Sequence, residues 1–107
     1  ARLAQREAPS MEDSETEVTQ LLARISKSID FIESIAPEEL EGAEQREIRL
    51  PIPTSMGGGE RVFAGDDFLR SFVLPNVYFH VTTAFAILRH NGVPIGKFDY
   101  LLGEDAP

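Results

Sequence analysis

The run Phe68-Leu69-Arg70-Ser71-Phe72-Val73-Leu74-Pro75-Asn76-Val77-Tyr78-Phe79-His80-Val81-Thr82-Thr83-Ala84-Phe85-Ala86-Ile87-Leu88-Arg89-His90 carries two apolar stripes at helical spacing. Phe68, Phe72, Phe79, Thr83 and Ile87 mark one. Leu69, Val73, Val77, His80, Ala84 and Leu88 mark the other. Residues three and four apart share a helical face, so the two stripes predict one long helix over about residues 67–90 with a broad apolar face, largely buried. Asp66 or Asp67 is placed to cap its start. Arg89 and His90 suit the negative end of the helix dipole. Asn91-Gly92 offers a left-handed stop, and Pro94 blocks continuation. Pro75 lies inside the run. It has no N–H to donate, so a kink is expected there.

A second long helix is predicted upstream, over about residues 15–35. Ser14 and Glu17 have capping-box spacing. Val18, Leu21, Leu22, Ile25, Ile29, Ile32 and Ile35 then recur at three and four residues, while Arg24, Lys27, Asp30 and Glu33 fall between them. At about 1.5 Å per residue such a helix is roughly 30 Å long. Pro37 ends it, and Pro37-Glu38-Glu39-Leu40 can add one turn before Gly42. The period then changes. Glu47 to Pro53 alternates polar and apolar residues, with Ile48, Leu50 and Ile52 on one side, as in a strand. Pro51 and Pro53 restrict that strand to an edge. Gly57-Gly58-Gly59 turns the chain, and Arg61 to Ala64 returns, giving a small β-hairpin over about 46–64. No Gly-Lys-Ser/Thr follows the glycines, so they are not a phosphate loop. From Gly92 to Leu102 an extended tail is expected. Taken together these elements predict a mainly α fold.

The chain has 107 residues, 18 acidic and 10 basic, for a net charge of -8. This acidity disfavours nucleic acid and anionic membranes as partners. With no cysteine there is no disulfide, thiolate metal site or cysteine nucleophile. No apolar run approaches the roughly 20 residues of a membrane span, so no membrane helix is expected. A single domain, residues 1–107, in the cytoplasm is the expectation. Ala1-Arg2-Leu3-Ala4-Gln5-Arg6 reads as the tail of a helix, stopped by Pro9 and Ser10. Either the chain begins here by processing or this is the later part of a longer protein. Two amphipathic helices do not close a core. The expected cover is an N-terminal pair of helices of the same domain or a second copy in a homodimer.

His80 is the most informative polar residue. Asn76 lies one turn before it and Thr83 one turn after, so the three can form a polar cluster on an apolar helix. His80 reads as a metal ligand or general base lining a pocket, or as a histidine satisfied within the core. A metal needs about three protein ligands, and position 84, the partner one turn on, is alanine. His90 is about 15 Å further along the axis and cannot share a metal with His80. Tyr78 lies off the His80 stripe. The carboxylates Glu12, Asp13, Glu15 and Glu17, and Glu38, Glu39, Glu41 and Glu44, read as solvated charge runs. No nucleophile elbow and no inward carboxylate pair is present.

The core Leu74-Pro75-Asn76, Tyr78-Phe79-His80-Val81-Thr82-Thr83-Ala84 and the closing Leu88-Arg89-His90-Asn91-Gly92-Val93-Pro94, Gly96-Lys97 resemble the C-terminal signature of the DUF1993 family. Asp30-Phe31-Ile32, Gly42-Ala43-Glu44 and the hairpin before Gly65-Asp66 also fit, so the resemblance covers about residues 1–103. That family is similar to the DinB/YfiT-like four-helix bundles, many of them linked to a histidine triad and a metal. The resemblance implies that Ala1–Arg6 ends the second helix and that the two long helices here are the third and fourth. It implies a divalent metal (Zn, Ni or Fe) as the cofactor class, with His80 nearest a ligand position. The sequence departs from the His-x-x-x-His form at Ala84. Two functions follow as expectations. One is a pocket binding a small molecule, with His80 as ligand or acid/base, Asn76 and Thr83 orienting it, and Tyr78 supplying a hydroxyl. The other is a non-catalytic bundle acting through dimerisation or ligand binding.

Overall fold

The computed structural model describes residues 1–103 and divides the chain into two compact units, one from Ala1 to Phe68 and one from Leu69 onward.

The first unit is organised around a hairpin. Strand β1 (Glu47–Pro51) pairs antiparallel with β2 (Glu60–Ala64), in a register that sets Ile48 opposite Phe63 and Pro51 opposite Glu60. The expected alternation holds. Ile48 is buried and Leu50 and Ile52 are half-buried, while Glu47, Arg49 and Pro51 are exposed. The turn is more ordered than a flexible glycine loop. Thr54–Met56 makes one 3-10 turn, and Gly57, Gly58 and Gly59 all take positive φ, which side chains with a Cβ resist. The core is Ala4, Ala43, Ile48, Phe63 and Phe68. The Phe63 and Phe68 rings meet at 5.6 Å and 59°. Arg46 ties the surrounding loops by donating to the carbonyls of Leu3, Glu39 (3.1 Å) and Glu41 (3.0 Å). The N-terminal residues form a single 3-10 turn, Arg2–Ala4, ended by Gln5 at φ 53.

Helix α1 spans Val18–Glu33, shorter at both ends than the sequence suggested. The capping box lies three residues later than Ser14–Glu17. The Gln20 side chain accepts from the N–H of Glu17 (3.0 Å) and of Thr16 (2.8 Å). Gln20 therefore satisfies the orphan donors that precede the helix. The polar side of α1 is strapped by the segment before it. Arg24 pairs with Asp13 (2.6 Å) and Glu15 (2.9 Å), and Lys27 donates to the Ser10 carbonyl (3.0 Å). Arg6 stacks over Phe31 and donates to Ser34. The apolar stripe is left open, and no residue of α1 is buried.

Helical winding runs from Gly65 to His90. It begins as α2 (Gly65–Phe68), so Asp66 and Asp67 stand in the first turn instead of capping it. Leu69–Val73 is π-wound, and α3 (Leu74–His90) follows with Pro75 in its first turn. Pro75 has no N–H for the carbonyl four residues back, and the π-wound stretch occupies the place of the expected kink.

The second unit holds α3 and α4 (Lys97–Leu102). The end of α3 is as expected. Gly92 takes φ 87, Val93 donates to Leu88 O (3.2 Å), and the Asn91 amide donates to Ile87 O (2.8 Å). The tail corrects the expectation of an extended segment. The Asp99 carboxylate accepts from the Gly96 N–H (2.7 Å), which starts α4, and Tyr100 packs edge-on against Phe85 at 5.6 Å. Two further expectations are corrected. No residue of α3 is buried, so the described residues leave its broad apolar face uncovered. Gly65–His90 is also long and apolar enough to cross a membrane by length and composition, its most apolar 18-residue stretch having a mean hydropathy of 1.4.

Candidate functional site

Successive turns of α3 bring Asn76 and His80 onto one face, as their spacing requires. Both residues line two solvent-open concavities in the second unit. One, of about 430 Å³, is formed with Ser71, Phe72, Pro75 and Phe79. The other, of about 370 Å³, is formed with Phe72, Val73, Val77 and Val81. Phe72, Asn76 and His80 are common to both, so they form the ridge between them. Phe72 belongs to the π-wound stretch, and such windings are frequent at functional sites. The His80 ring meets Phe79 edge-on at 5.4 Å. Asn76 and His80 are both exposed.

The other two residues expected at the site do not join this lining. Tyr78 is 58% exposed, and neither Tyr78 nor Thr83 lines either concavity. Sequence reasoning missed Phe72, Val73, Val77 and Val81 as site residues because their helical spacing reads equally well as core. The signal was their stripe beside Asn76 and His80.

Asn76 offers two amide donors and a carbonyl acceptor, and His80 offers ring nitrogens that can donate, accept or carry a proton. The pair can hold a polar group by two hydrogen bonds and move a proton to or from it. A metal does not fit as well. Among the described residues no group of three or more His, Cys, Asp or Glu is placed to hold one. His80 alone supplies a single imidazole, short of the usual three protein ligands.

A larger concavity, about 500 Å³, lies between α1 and the strap before it. It is the less chemical site because its main charges are already paired. The Arg24 guanidinium is held above its ordinary pKa by its hydrogen bonds to Asp13 and then Glu15. Arg49, on β1, is raised in the same way by Glu47 and Glu60.

The comparisons agree with this architecture. The model of the family described as "Domain of unknown function (DUF1993)" matches residues 1–101. Among curated proteins none matches. A crystal structure of a DinB family member protein from Shewanella denitrificans is similar to this chain, with a TM-score of 0.78 and 34% identity. That similarity covers 99% of this chain and 59% of the other, so this chain spans less than two thirds of its neighbour's length. The mainly α architecture, with its two-stranded hairpin, is a DinB-like helical fold, and the chain belongs to the DUF1993 family.

Proposed function

We propose that the protein is a helical bundle that binds a small molecule at the Asn76–His80 ridge, with His80 as hydrogen-bond partner or acid/base. The observation that carries this reading is the sharing of Asn76, His80 and Phe72 by two adjacent concavities. Their volumes fall in the range of ligand sites, and their linings combine apolar walls with a few polar groups. Asn76 orients the ligand and His80 exchanges a proton with it. Thr83 and Tyr78 lie outside this lining and take no step in it. No step is routed through a metal. The run Gly65–His90 serves as a bundle helix, since Asn76, His80, Thr82 and Thr83 place polar groups along it.

The test is a thermal-shift screen of small molecules on the wild type and on His80→Ala, with metal analysis of protein purified without a histidine tag. A ligand that stabilises the wild type and not the variant is expected. A screen in which every stabilising compound acts equally on both proteins would remove His80 from the site.

A second reading rests on a different observation. The aliphatic stripe of α1 is open, with Val18 70% and Ile32 66% exposed, and Phe79 on α3 is 65% exposed. Exposed apolar faces of this extent mark association surfaces. On this reading the protein acts through helix-mediated association, with a second copy or with further helices of its own domain. Light scattering across a concentration series decides for the second copy. A monomer at every concentration would remove the homodimer.

A further inference from the structure

We infer that Asn91 is a site of spontaneous deamidation, where the side-chain amide leaves as ammonia and the residue becomes aspartate or isoaspartate, and that the last turn of α3 sets the pace. The site lies in the turn after α3 and shares no residue with the Asn76–His80 ridge.

An asparagine followed by glycine carries its own nucleophile. The Gly92 nitrogen gives its proton to solvent base and bonds to Asn91 Cγ. The Cγ–Nδ2 bond breaks, and Nδ2 takes a proton and leaves as ammonia. Water then opens the resulting succinimide ring. Attack at Cγ restores the normal backbone and gives aspartate. Attack at the backbone carbonyl gives isoaspartate, with the chain running through the former side chain. Water is the only co-reactant, and nothing is oxidised or reduced. A Cβ on the following residue would crowd the attacking nitrogen, and Gly92 has none. The chain's other asparagine, Asn76, precedes the β-branched Val77 within α3. Asn91 is exposed, so water and base reach it.

The folded turn holds this reaction back. Asn91 has ψ 12, which keeps the Gly92 nitrogen on the far side of the Cα–C bond from the side chain. Closing the ring turns ψ well away from that value. Three hydrogen bonds resist the rotation. The Gly92 N–H donates to Arg89 O (3.1 Å), the Val93 N–H to Leu88 O (3.2 Å), and the Asn91 amide to Ile87 O (2.8 Å). All three sit at the end of α3, where local opening costs less than in a helix interior. Ring closure therefore waits on fraying of this turn. The product then weakens the turn that delayed it. A carboxylate at position 91 meets the negative end of the α3 dipole, and isoaspartate lengthens the backbone between the Leu88 carbonyl and the Val93 N–H.

The test ages the full chain in mildly alkaline buffer beside a synthetic peptide of residues 90–97, following each asparagine by peptide-level mass spectrometry. Conversion at Asn91 is expected, about tenfold slower in the folded chain than in the peptide, with Asn76 unchanged. The aged chain should also exchange its Gly92 and Val93 amides faster than fresh protein. Asn91 that stays intact in the folded chain while the peptide converts would overturn the site. Conversion at the peptide's rate would overturn the control by α3, and equal conversion at Asn76 would overturn the role of Gly92.

Discussion

Gly65 lies directly against the carbonyl of Ala43: a Cβ at position 65 would overlap the Ala43 oxygen, with Leu3 Cδ2 3.2 Å away. This contact seats α2 on the 3-10 turn Ala43–Gln45, and it exists only because residue 65 has no side chain. Gly65→Ala should destabilise the unit by about 1–3 kcal/mol, as overpacking does. Urea denaturation checks it. An unchanged midpoint would show that the backbone can slide away from Ala43 at no cost.

Phe68 is buried in the same unit, with its ring 5.6 Å from that of Phe63. Its truncation leaves a cavity in a core of five residues. Phe68→Ala should cost about 3–5 kcal/mol and Phe68→Leu distinctly less. The comparison of the two in one denaturation series separates lost volume from lost ring contact.

The strap on α1 should respond to salt and to Arg24, and not to neutral pH through the arginine. Arg24 has its pKa raised by Asp13 and then Glu15. A raised pKa means the ion pair's contribution is fully present below the ordinary guanidinium range. It is lost only as pH climbs through the still higher folded value. Arg24→Gln, or high salt, should therefore free residues 10–17 while α1 persists. The observable is faster proteolytic cleavage in that segment. Cleavage at the wild-type rate in Arg24→Gln would show that Lys27 and Gln20 hold the strap without it.

Helix α4 depends on one carboxylate, that of Asp99, accepting the Gly96 N–H. Asp99→Ala should cost about 1 kcal/mol locally, the usual worth of a lost cap. Hydrogen exchange of the amides from Gly96 to Leu102 should rise, with that of α3 unchanged. Exchange that stays slow would make the Tyr100–Phe85 contact the holding interaction instead.

Pro75→Ala restores an N–H in the first turn of α3 and should let the π-wound stretch Leu69–Val73 return to α winding. Phe72, four residues before Asn76, stays on the same face in α winding. Carbonyl and Cα chemical shifts over residues 69–75 report the winding. Retained π winding would place its cause in packing and not in the proline.

The hairpin and the two long helices were legible because each is written in local chemistry. Ile48, Leu50 and Ile52 alternate at the strand period, and Val18 to Ile32 repeats at the helical one. The Gly92 stop was legible for the same reason, since left-handed backbone favours glycine. Helix α1 starts three residues after the Ser14–Glu17 spacing predicts, because the Gln20 side chain takes the N–H groups of Thr16 and Glu17 and so fixes Glu17 as the cap position. In the tail, Gly92, Pro94 and Gly96 favour an extended segment, and the Asp99 carboxylate on the Gly96 N–H overrides them to start α4. At the site, spacing alone put Asn76 and His80 on one face. The exclusion of Tyr78 and Thr83 from the lining was a tertiary result.

Sequence by itself thus determined the periods, the Gly92 stop and the family, because these depend on neighbours within a turn or a strand pair. Tertiary structure alone decided the rest. It set Gly65 against Ala43, bound Arg24 to two carboxylates, and built two concavities about the Asn76–His80 ridge. Those depend on which distant atoms meet, and periodicity carries no record of that.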